Sequence, residues 1–277
     1  MLQFFLLTYA TTWTCFFAAA ALSRGSDSFV PALLNLRTPL LFVGTFAPSL
    51  VAVGLLAREG GLGDVRVVLR RLLDGQVQAR WYVFAVGYMA MLKLTAAVAH
   101  RVISGAWPPF GTTPWLVIAV AIVISTPVQA GEEVGWRGYA LPRLTARFGL
   151  ARASVLLGVI WGCWHLPLFF VQGLGNYGQS FPMFVLGSTG LSVAMAWLYG
   201  NTNGSLLLAI LMHSAVNQTV GIVPTRLAAP GNPLTVIDTS LITLLFGAVF
   251  GFSVVYFLVR MSRSVAGRAG TREAIAV

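Results

Sequence analysis

The stretch PWLVIAVAIVISTPVQAGEEVGWRGY, residues 114–139, decides the fold. Its first part belongs to a run, residues 102–131, without one charged side chain, and it closes on Glu132, Glu133 and Arg137. About 20 apolar residues, rising about 1.5 Å each, cover the hydrocarbon core of a bilayer. Ionisable groups at such depth are costly, so three together mark a functional site by default. The plainer alternative is a helix end that reaches water and carries a surface ion pair.

Composition extends this reading to the whole chain. Charged residues make up 9% and apolar ones 57% of 277 residues, against about 25% charged in soluble domains. Lipid leaves no water for loose backbone groups, and the apolar runs are continuous rather than alternating, so the spans are helices and not barrel strands. The fold class expected is an all-α polytopic membrane protein: one integral domain over residues 1–259 and a basic, disordered tail over 260–277. The net charge of +10 does not indicate nucleic acid, because the arginines sit between apolar runs and not on one face. Cys15 and Cys163 both lie inside apolar stretches and read as free buried thiols, with neither a disulfide nor a cysteine metal site.

Eight spans are expected, at about residues 1–23, 38–57, 81–99, 114–133, 153–171, 182–199, 206–222 and 239–259. The first has no basic n-region and is read as a retained span; the alternative is a signal peptide cleaved after the alanine run 18–21. Eight spans put both termini on one side. That side collects thirteen arginines and the other only Arg24, Arg37, Arg101 and Arg226. The positive-inside rule then places both termini in the cytosol of a cell-membrane protein. Residues 65–73 alternate arginine with leucine and valine as an interfacial helix or a solvated loop would. Lys93 is expected to snorkel to the headgroups. Gly131 with Gly135, and Gly158 with Gly162, have the spacing of close helix packing and are read as drawing the fourth and fifth spans together; Gly247 with Gly251 is read as generic packing.

The polar groups inside the spans fall on shared faces. Glu133 and Arg137 are four apart and form an ion pair along one face, whereas Glu132 is rotated about 100° away and is free for chemistry. His165 follows Trp161 by four residues, and Asn217 follows His213 by four. By helix rise, His165 lies about 18 Å and His213 about 10 Å into their spans, while Glu132 lies about 27 Å along its own antiparallel one. A cavity opening to the cytosol would unite them, with Pro167 kinking the fifth span beside His165.

These residues carry a resemblance. Glu132-Glu133-x-x-x-Arg137, an aromatic (Trp161) four before His165, and His213-x-x-x-Asn217 resemble the three motifs of the CPBP family, the CAAX-protease and bacteriocin-processing intramembrane proteases. The resemblance covers a motif core of about residues 125–220, and departs from it at Trp161, where phenylalanine is common. It implies an intramembrane endopeptidase in which Glu132, helped by His165, activates water, and His213 and Asn217 stabilise the oxyanion. Glu133, Arg137 and Trp161 support the site. No cofactor is expected; the alternative is a zinc ion on Glu132, His165 and His213, although no HExxH spacing is present. The implied partners are a peptide or protein substrate, prenylated or membrane-anchored, and the lipid bilayer. A non-catalytic immunity-type membrane protein and a proton-coupled transporter are the rival readings. Against a transporter, the motif region has no repeat in the first half of the chain.

Overall fold

The computed structural model describes residues 1–23, 36–170, 176–224, 232–235 and 239–275, with 264–275 as backbone only. The expected linker at Arg24 and Asp27 and the loop positions Gly173, Gly175, Arg226 and Asp238 lie outside them. The described residues form an all-helical bundle with no strand: α1 (Leu2–Ser23), α2 (Arg37–Arg70), α3 (Ala79–Ser104), α4 (Trp115–Glu133), α5 (Leu141–Phe148), α6 (Leu150–Trp164), α7 (Phe181–Asn201), α8 (Leu206–Thr219) and α9 (Leu241–Ile275). A π-helical segment, Val134–Ala140, joins α4 to α5, and a 3-10 segment, Leu166–Phe170, follows α6. Among the described residues seven helices are long and apolar enough to cross a membrane, and α8 is a shorter apolar helix at the position of the expected seventh span. The protein is therefore a multi-pass membrane protein. Its last helix runs on to Ile275, past the expected boundary at residue 259.

Small residues and prolines determine which helices meet. Pro48 lies inside α2 and has no N–H for the carbonyl of Gly44, four residues back. The Thr12 hydroxyl of α1 donates to that carbonyl at 2.8 Å. This bond and the Phe16 ring against Gly44 lock α1 onto α2. A Cβ on Gly131 would fall 2.7 Å from the Phe46 ring, and one on Gly135 would fall 2.5 Å from the Pro48 backbone. This pair thus seats α4 and the π segment on α2, not on the fifth span as expected. Gly158 and Gly162 face Thr189 and Val185 of α7, so they join α6 to α7. Gly247 and Gly251 meet nothing within 4 Å, and their face of α9 is open.

Polar contacts identify the two ends of the bundle. At one end Arg58 donates to Gln3, Tyr139 and Arg143 both reach Glu59, and the amide of Leu206 donates to the carbonyl of Arg71. At the other, Gly111 donates to the carbonyl of Ile222 and Phe181 to that of Pro233. The first end carries the arginine-rich segments. Beyond a break at Gly61, whose φ is +71°, the α2 extension buries Val65 and Val68 and leaves Arg66 and Arg70 exposed. This is the amphipathic pattern expected there.

Candidate active site

The acidic motif sits where α4 changes its winding. Over Val134–Ala140 the helix takes an extra residue per turn, and the amide of Leu141 reaches the carbonyl of Trp136, five back. Such segments are rare and concentrate at functional sites. Gly135 and Gly138 let this wider turn lie directly against Pro48 on one side and Val68 and Leu206 on the other. Every residue from Gly131 to Leu141 is buried.

The two glutamates have different surroundings. Glu133 is fully buried, and its Oε1 accepts from Arg137 Nη1 at 2.8 Å and from His213 Nδ1 at 2.8 Å. The expected pair with Arg137 is present, and His213 is a third member that spacing along α4 did not reveal. Arg137 also lies over the Trp161 ring, 4.4 Å from its centroid. Glu132 instead accepts one hydrogen bond, from Trp161 Nε1 to Oε2 at 2.9 Å, and lines a cavity of about 480 Å³.

That cavity also takes in His165, His213, Asn217 and Trp161, so all four expected catalytic residues share one space. His165 caps α6 and turns its Nδ1 to the carbonyl of Trp161 at 2.8 Å. A carbonyl only accepts, so Nδ1 carries the proton and Nε2 keeps a lone pair. His213 Nδ1 is engaged with Glu133 Oε1, which leaves Nε2 as the ring nitrogen available to the cavity. Asn217 is exposed to the cavity and its amide makes no hydrogen bond among the described residues. Gln129, one turn before Glu133, is buried and does not line the cavity. Pro167 does not kink a continuing helix: α6 ends at Trp164 and the chain passes into the 3-10 segment.

Two features correct or extend the expectations. Lys93 does not snorkel. It lies in the middle of α3, fully buried in the cavity wall, where Nζ donates to the carbonyl of Val223 at 3.0 Å and sits 4.3 Å from the Phe246 ring centroid. A loose carbonyl beyond the end of α8 and a ring face replace the headgroups as its solvation. The chain's single lysine, inside an apolar run, was the signal available for this. The second feature is metal fit. Among the described residues no group of three His, Cys, Asp or Glu side chains is arranged to hold a metal ion. Glu132, His165 and His213 share the cavity without converging as a ligand set.

The cavity mouth faces the end away from the arginines. Its outer lining comes from Asn176 and Gln179 before α7 and from Gly221 and Pro224 after α8. No residue of the turns at 71–78, 148–150 or 202–205 lines it. α1 begins and α9 leaves the bundle at the arginine-rich end, opposite to these lining residues.

Comparison with known proteins agrees with this geometry. The family described as type II CAAX prenyl endopeptidase Rce1-like matches residues 111–219, the span from the start of α4 to the end of α8. Over 262 residues the chain is 24% identical to CAAX prenyl protease 2 of Methanococcus maripaludis, covering 89% of this chain and 91% of that protein. Both likenesses are to CAAX prenyl proteases, and the matched region contains all three motifs that gather on the one cavity.

Proposed function

We propose that the protein is an intramembrane endopeptidase of CAAX-protease type that cleaves a peptide bond with water activated by Glu132 and His165. The observation that carries the reading is the division of the two glutamates. Glu133 is committed to Arg137 and His213, while Glu132 faces the cavity beside a histidine whose Nε2 holds a lone pair. Trp161 fixes one oxygen of Glu132 and leaves the other to take a proton from water. The hydroxide attacks the scissile carbonyl carbon, and the oxyanion accepts from the Asn217 amide and from the His213 ring. Collapse breaks the C–N bond as Glu132 returns its proton to the leaving amine.

Substrates of this chemistry are peptides or proteins brought to the membrane, prenylated or otherwise anchored. The relative's name supports the prenylated class, although the lining identifies no prenyl pocket. The metal-free form is preferred because the donor set does not converge. Glu132→Gln or His165→Ala is expected to lower cleavage of a matching substrate by about 100-fold or more with the protein still folded. Undiminished turnover by Glu132→Gln sinks the proposal. Turnover that survives exhaustive chelation, with no zinc in elemental analysis, checks the metal-free form.

A further inference from the structure

We infer that the extension of α2 beyond Gly61 is a binding surface for anionic phospholipid headgroups, with Leu62, Leu69 and Leu73 seated among the upper acyl chains and Arg66 and Arg70 on the phosphates.

The extension has two apolar faces, and the protein covers one of them. Val65 and Val68 are buried, and Val68 lies against Gly138 of the π segment. The amides of Leu206 and Leu207 donate to the carbonyl of Arg71, and the Ser205 hydroxyl donates to that of Asp74. The helix is therefore fixed on the bundle and presents its other side in a set orientation. At about 100° per residue, Leu69 lies within about 20° of Leu62, and Leu73 follows Leu69 by four. These leucines are 79%, 40% and 86% exposed in the order 62, 69 and 73, an aligned apolar stripe that no other helix covers. Arg66 and Arg70 are exposed beside it, about 40° and 80° round from Leu62, whereas Asp64 is about 160° away.

Position and charge select the occupant. Residues 38–57 of α2 carry no charge and are followed by Arg58 and Glu59, and about 20 residues suffice to cross the hydrocarbon. The break at Gly61 falls just beyond them, so the stripe begins at headgroup level. Arg58, Arg66, Arg70, Arg80, Arg147 and Arg152 are all exposed at this end. Among the described residues the acidic groups there are Asp64, Asp74 and Glu59, and Arg143 neutralises the last at 2.7 Å. An apolar stripe inside a basic surface at the membrane boundary is the pattern of a helix lying in the interface of an anionic bilayer.

Lipid selectivity in vesicles tests this. In the full chain, with Cys15 and Cys163 replaced by alanine, a small fluorophore is attached to Leu73→Cys, and in a separate control to Leu116→Cys at the other end; both native side chains are exposed. The vesicles mix phosphatidylcholine with phosphatidylglycerol, one of the two carrying bromine on its acyl chains at a time. Quenching by each lipid gives the ratio of their occupancies beside the label. At position 73 phosphatidylglycerol is expected to be preferred about fivefold or more, with little preference at position 116. Arg66→Gln/Arg70→Gln is expected to bring the ratio at 73 close to one. Should that variant fail to fold, about 1 M salt is expected to weaken the preference of the unsubstituted surface. No preference at 73, an equal preference at 116, or a preference unchanged by the substitutions or, in their place, by salt overturns the inference. So does the absence of quenching by either lipid, which would mean that water or another protein molecule covers the stripe. None of these readouts needs turnover, so the outcome is separate from the protease reading.

Discussion

Glu133 Oε1 receives two donors while Glu133 Oε2, Arg137 Nε and Arg137 Nη2 have no hydrogen-bond partner among the described groups. A buried ion pair held this incompletely depends on each member, because removing one strands the other in a dry interior. Glu133→Ala is thus expected to cost about 3–5 kcal/mol of stability, read as a lowered unfolding temperature in detergent, whereas Glu132→Gln leaves that temperature nearly unchanged. Equal losses in the two variants would contradict the division of roles. Asn217 has the opposite character, exposed to the cavity and uncommitted. Asn217→Ala is expected to reduce kcat by about 100- to 1,000-fold with KM little altered, the mark of a donor used only in the transition state. A rise in KM at constant kcat would assign it to substrate binding instead. Sequence spacing separated the glutamates correctly because i, i+4 geometry is local. It missed the His213 bond to Glu133 because that contact joins α4 to α8, and no periodicity within one helix reports which neighbour lies across.

At the scale of the element, the π segment and the glycines that admit it bring the site into register. Gly135 touches backbone atoms of Pro48, which cannot yield as a flexible side chain would. Gly135→Ala is expected to push α4 off α2, lowering thermal stability and activity together. Gly247→Ala, with nothing within 4 Å, changes neither. Similar unfolding temperatures for the two variants would refute the contact. The helices themselves were legible, since continuous apolar runs and charge clusters mark spans directly. Their partners were not: a small-residue pair says that a backbone comes close, without saying whose, so Gly131 and Gly135 pointed to the fifth span when Pro48 of α2 fills the space. Nothing in the composition of Val134–Ala140 announced a wider turn either. Pro167 misled in a related way, because a proline that breaks a helix leaves open whether the chain bends or, as in this bundle, ends the helix at Trp164.

For the whole molecule, the count and alternation of spans fixed which segments share an end, and the structure keeps that sorting. The position of the cavity mouth was beyond the sequence, because depth along one helix does not tell from which end water arrives. Only the assembled lining of α6, α7, α8 and α9 shows it.

The 14 residues of α8 have a further consequence. They span about 21 Å, short of the roughly 30 Å of hydrocarbon in an average bilayer. This helix carries His213 and Asn217, and only its first end joins a segment rich in polar groups, Asn201 to Ser205. Ten of its fourteen residues are nonetheless buried, and the exposed Asn217 faces the cavity, so other helices and not lipid surround it. The helix that carries the site is thereby insulated from hydrophobic mismatch: in proteoliposomes, turnover is expected to be alike in short-chain and long-chain phosphatidylcholine. A steep dependence on chain length would mean that lipid reaches α8.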